Sequence, residues 1–79
     1  MNENRVALRK RVLKAGTIEF GGGGISCIVR NVSATGAALE VVSPVGIPHE
    51  FKLVIESDQI CRSCHVVWRK EKRIGVTFD

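Results

Sequence analysis

The strongest constraint on this chain is a period of two in its apolar residues. Phe51, Leu53 and Ile55 alternate with the charged Lys52 and Glu56. Ile74, Val76 and Phe78 repeat the pattern against Arg73, Thr77 and Asp79. Ala37, Leu39 and Val41 do so again, although Val42 follows directly. Successive side chains of a strand point to opposite faces, so runs of this kind are half-buried strands that cover a core on one side. Helical spacing is hard to find past residue 12.

Turn-forming clusters separate the runs. Four consecutive glycines, Gly21 to Gly24, read as a loop, because glycine loses the most backbone entropy inside a regular element. Asn31–Gly36, Ser43–Pro48, Ser57–Gln59 and Lys70–Lys72 read as the next connections. Six strands follow, over 13–20, 25–30, 37–42, 50–56, 60–69 and 73–78. Six short strands at turn spacings of about 8–12 residues suggest a closed or nearly closed antiparallel barrel. Closure removes the exposed edges that a flat sheet of this size would carry. The expected fold is therefore all-β: a small six-stranded antiparallel β-barrel over 13–79, preceded by a flexible basic N-terminal arm over 1–12.

Charge sharpens that division. The net charge is +4, from 12 Lys plus Arg against 8 Asp plus Glu. Residues 1–16 hold five basic side chains (Arg5, Arg9, Lys10, Arg11 and Lys14) against Glu3, which already gives 5 − 1 = +4. The remainder sums to zero, so a neutral body carries a cationic arm. A chain of 79 residues buries only about 60–65% of its unfolded surface, which leaves no room for a deep enzyme pocket. Its hydrophobic content of 44% and charged content of 25% argue against disorder. It lacks an apolar run of ~20 residues to span a membrane and begins with charges where a secretory leader needs an apolar stretch. An odd set of three cysteines, Cys27, Cys61 and Cys64, does not suit a secreted disulfide scaffold. The expected compartment is the cytoplasm.

Three constellations compete for function. The first joins Arg5-x-x-x-Arg9 to Asn31-x-Ser33-x-x-Gly36. Two guanidiniums can fork onto phosphates or guanine edges and stack on a base. Asn31 and Ser33 alternate with Val32, so their polar groups share a face at a strand end. Gly36 would permit a positive φ and a close backbone approach. Each half has an ordinary reading as well, since spaced arginines in a basic arm are usually solvated and N-x-S-x-x-G suits a plain hairpin turn.

Together, RVALR at 5–9 and NVSATGAALEV at 31–41 resemble the PilZ domain family, whose members carry RxxxR followed by (D/N)xSxxG. The resemblance runs on through CHVVW at 64–68 and RIGVTF at 73–78. It implies a six-stranded barrel that binds cyclic di-GMP, the bacterial second messenger. By that resemblance Arg5 and Arg9 clasp phosphates and guanine, while Asn31, Ser33 and Gly36 meet base and ribose-phosphate. It also implies a downstream protein partner that reads the changed surface. A cationic arm beside a polar strand end is what an anionic dinucleotide would be drawn to. Members often carry several consecutive arginines in the first motif, whereas here Asn4 precedes Arg5 and Val6 follows it. Many continue into a C-terminal helix, while this chain stops at Asp79, as a minimal or a shortened version.

The second constellation is Cys61-Arg62-Ser63-Cys64-His65, a literal C-x-x-C-H. In an exported protein that spells c-type haem attachment. Here it sits in an alternating run that would put Cys64, Val66 and Trp68 on one face and Cys61, Ser63 and His65 on the other. Thiols on opposite faces are a poor geometry for one porphyrin edge or one metal. A zinc site would also need Cys27 to join from another strand. Neither metal nor cofactor is expected, with Cys27 and Cys64 as small core residues and His65 at the surface or rim.

The third is the basic stretch Arg69–Arg73. With the arm it could form a patch for RNA or DNA, the alternative from a different class. Barrels that bind nucleic acid usually offer exposed aromatic platforms, and Phe20, Phe51, Trp68 and Phe78 all fall at core-like positions. Nucleic acid is the weaker reading. Ser33 has no evident histidine partner, since His49 and His65 lie far from it in sequence, and an enzyme is not expected.

Overall fold

The computed structural model of the chain describes residues 10–79. Arg5 and Arg9, and most of the arm expected over 1–12, lie outside the described residues. The described part has six strands: β1 (Lys10–Phe20), β2 (Gly23–Val32), β3 (Gly36–Glu40), β4 (Glu50–Ile55), β5 (Ile60–Lys70) and β6 (Arg73–Phe78). A single 3-10 turn, Glu56–Asp58, lies between β4 and β5. The strands close into a barrel in the order β1-β2-β3-β6-β5-β4, with β4 pairing back onto β1, and every pairing is antiparallel.

Each strand delivers a fully buried side chain to the centre: Ile18, Val29, Leu39, Leu53, Cys64 and Ile74 in chain order. Burying an aliphatic side chain of this size contributes about 1.5–3 kcal/mol, so these positions supply much of the driving force for closure. Val41 and Ile47 are also buried, from the connection between β3 and β4. Arg69 fastens that connection by donating to the carbonyls of Pro44 at 3.1 Å and Ile47 at 2.8 Å.

Pairing moves several strand ends from where residue pattern alone puts them. Only Gly21 and Gly22 form the first turn, both with positive φ (56° and 81°). That is what a two-residue hairpin with the favoured twist demands. Gly23 and Gly24 pair with Phe20 and Glu19 and so belong to β2. At the other end of this ladder Lys10 and Arg11 pair with Val32 and Asn31, which starts β1 three residues before the expected position 13. By contrast, β3 stops at Glu40, short of 42, because its partner β6 begins at Arg73 opposite it.

Candidate functional site

The segment Asn31–Gly36 closes the β2–β3 hairpin, and its polar side chains begin as turn-builders. The Ser33 amide donates to the Gly36 carbonyl at 2.8 Å. In return the Ser33 hydroxyl oxygen accepts from the amides of Gly36 at 3.2 Å and Thr35 at 3.3 Å. One hydroxyl thus satisfies two backbone donors that a tight turn would leave to solvent. The Thr35 carbonyl then accepts from the Phe78 amide at 2.8 Å and the Thr77 hydroxyl at 3.0 Å. The turn is thereby locked against the end of β6.

Gly36 is needed for a different reason from the one expected. Its φ is not positive; the glycines that have positive φ are Gly21, Gly22 and Gly46. Instead Gly36 opens β3 opposite Thr77, where an added Cβ would collide with the Val76 carbonyl oxygen. The close approach is to the neighbouring strand, not a left-handed bend.

Asn31 takes its place through register. It pairs with Arg11 on β1 and with Ala38 on β3, Ala38 pairs with Gly75 on β6, and Gly75 pairs with Trp68 on β5. Five residues from five strands therefore lie in one transverse row: Arg11, Asn31, Ala38, Gly75 and Trp68. From Ala38 to Trp68 the row runs across the outer face, because Ala37 and Leu39 turn inward on β3 and Ile74 and Val76 turn inward on β6. A groove of about 250 Å³ opens there, bordered by Ser33, Thr35, Ala38, Val67, Trp68 and Gly75.

Trp68 corrects the sequence reading. Alternation places it in the core with Cys64 and Val66, yet it is 46% exposed. The register shifts between Val66 and Trp68, where one extra residue opposes the step from Val76 to Gly75. A bulge of this kind reverses the faces of everything that follows it. The other aromatics are buried or partly buried, Phe51 in the core and Phe20 and Phe78 against it. A second shift in β2, between Val29 and Asn31, lets Val29 face the core while Asn31 enters the row.

Charges around the row are mostly satisfied in pairs. Glu40 lies 2.9 Å from Arg30 and 3.9 Å from Arg73, so the acidic side chain beside the row is neutralised by cations. Near the base of β1, the Lys14 ammonium contacts both Asp58 carboxylate oxygens, at 2.7 and 2.6 Å, and holds that carboxyl below its ordinary value of 3.8.

The C-x-x-C-H run divides as alternation requires. Cys61 is exposed and Cys64 is fully buried, so the two thiols face opposite sides of β5. Cys27 is buried as well, and burial pushes the Cys27 and Cys64 thiols up to about 11. His65 is part-exposed at the rim, its Nδ1 lying 2.8 Å from Asp79. Among the described residues, no group of three or more His, Cys, Asp or Glu side chains is arranged to hold a metal ion. Among the same residues, no helix is long and apolar enough to cross a membrane.

Pattern reading missed Trp68, Ala38 and Gly75 as parts of one site. Two signals were present: three consecutive large apolar residues, Val66 to Trp68, break the alternation, and a lone glycine sits inside the apolar run of β6. An isolated strand glycine marks a bulge or a close approach. A family model described as PilZ domain matches residues 3–79. No curated protein and no solved structure gives a significant match.

Proposed function

The chain belongs to the PilZ domain family, a family of cyclic di-GMP-binding domains, and from that premise we propose that it is a non-enzymatic cytoplasmic receptor for cyclic di-GMP. The observation that carries the reading is the transverse row. It brings the strand end bearing Asn31 and the root of the cationic arm into line with an exposed indole. Each element supplies what one part of an anionic purine dinucleotide requires. Arg5 and Arg9 neutralise phosphates and fork onto guanine edges. Asn31 and the turn at Ser33–Gly36 receive base edge and ribose-phosphate. Trp68 offers a ring face for stacking, worth about 1–3 kcal/mol per base.

Arg9 directly precedes Lys10, which pairs with Val32 beside Asn31. At ~3.3–3.6 Å per residue the arm is long enough for Arg5 to reach across the row. Ligand binding draws the arm over the barrel wall and creates a new surface, which a partner protein reads. A track for single-stranded nucleic acid needs successive platforms. Among the described residues, Trp68 is the one exposed Phe or Trp side chain.

An amide NMR titration tests this. Cyclic di-GMP at roughly micromolar concentration is expected to shift residues 5–11 and 31–36, and Arg9→Ala to abolish the shifts. No shift at millimolar ligand would falsify the receptor reading. Oligonucleotide binding with a steep salt dependence and no preference for the cyclic dinucleotide would replace it with the nucleic-acid alternative.

A further inference from the structure

Resting on the receptor reading above, we propose that Ala38 and Gly75 determine which ligands the groove accepts, Gly75 by seating the Trp68 indole and Ala38 by keeping open the floor beside it. Gly75 is the cross-strand partner of Trp68. A Cβ built on Gly75 would fall into the five-membered ring of the indole, against its Nε1, Cε2 and Cδ1 atoms. The inner face of the ring therefore covers the backbone of Gly75, and Gly75 is buried although its side-chain direction is outward. With one face packed on the strand, the indole keeps a fixed orientation, and its other face is left to solvent.

Ala38 lies next in the row, between Gly75 and Asn31. Adjacent strands are about 4.8 Å apart, so Asn31 and Gly75 are separated by roughly 9–10 Å across Ala38. A methyl group is the tallest thing on that floor. A planar base can stack on the outer face of the indole while its sugar-phosphate edge descends over Ala38 toward Asn31. Any longer side chain at either position closes the arrangement: at Gly75 it lifts the ring off the sheet, and at Ala38 it fills the space beside the ring. The pair are positioning residues for the ligand, with Trp68 as the group that touches it.

The single tryptophan and the absence of tyrosine make intrinsic emission a report on Trp68 alone. Gly75→Ala is expected to shift the emission of the free protein to longer wavelength, as the indole rises into water, and to weaken cyclic di-GMP binding about tenfold. Ala38→Leu is expected to weaken binding about as much with an unchanged melting temperature. Both larger variants binding within about twofold of wild type, or Gly75→Ala leaving the free-protein emission unmoved, overturns the proposal. If Gly75→Ala fails to fold, Ala38→Leu decides. Wild-type protein that binds no cyclic di-GMP overturns the receptor reading and the ligand role of the pair, and the free-protein emission still decides the seating of the indole.

Discussion

Ser33 and Gly36 hold each other across the β2–β3 turn: the Ser33 amide donates to the Gly36 carbonyl at 2.8 Å, and the Gly36 amide donates to the Ser33 hydroxyl at 3.2 Å. Two residues of a ligand-type motif are thus first of all a structural clip. Ser33→Ala leaves the amides of Thr35 and Gly36 without that acceptor, at a cost of about 0.5–1.5 kcal/mol. In a domain of this size, each kcal/mol lowers the melting temperature by about 4–8 °C. Gly36→Ala is worse, since the new Cβ meets the Val76 carbonyl and pushes β3 off β6, at a cost of about 1–3 kcal/mol. Thermal melts without ligand should rank wild type, Ser33→Ala and Gly36→Ala in falling order. A Gly36→Ala melt equal to wild type contradicts the close approach.

Trp68→Ala is expected to lose the stacking contribution while sparing the core, because the side chain lies on the outer wall. The loss of ~1–3 kcal/mol corresponds to about 5–150-fold in affinity. Trp68→Phe should recover part of it. In wild type, cyclic di-GMP should change the indole emission in step with calorimetric saturation. Binding with no change in emission at saturation contradicts a ligand seated on this ring.

The three thiols should separate cleanly by reactivity. Thiolate is the reactive form, and burial raises the Cys27 and Cys64 thiols to about 11, so both stay protonated and shielded at neutral pH. Cys61 is exposed on the opposite face of β5. A disulfide-exchange reagent on the native protein should modify a single thiol rapidly, and all three only after denaturation. Rapid loss of two thiols in the native state would show that Cys27 or Cys64 is not sealed in the barrel.

Asp58 ties the acid limb of stability to the base of β1. Its carboxyl is held below 3.8 in the folded protein by hydrogen bonding to Lys14, and so titrates at higher pH once unfolded. A depressed folded value means that the contribution is fully present above the unfolded value and is lost as pH falls through the folded one. The pair is part-exposed, so the effect is small and screened by salt. Asp58→Asn should leave an acid unfolding curve shallower below about pH 4. Equal acid sensitivity in the variant and wild type would dismiss the contribution of the pair.

What could be read in the chain was local. Strand interiors at 50–55 and 73–78 follow from alternation alone, because a half-buried strand writes its two faces into every second residue. The turn at Ser33–Gly36 was legible for the same reason, since serine and glycine act within a few residues of themselves. Strand ends were less so. Gly23 and Gly24 look like loop by composition, and only pairing with Phe20 and Glu19 makes them strand.

By itself, then, the sequence determined an all-β chain of six strands, a cationic arm on a neutral body, and the motif residues Arg5, Arg9, Asn31, Ser33 and Gly36. Only the tertiary structure decided what stands beside Asn31. The row from Arg11 to Trp68 joins residues from five strands, and its register is set by closure and by register shifts in β1, β2 and β5. A single inserted residue reverses the faces of a strand beyond it. Whether Trp68 fills the core or lies on the outer wall therefore depends on how β5 meets β6, and no window of β5 alone contains that information.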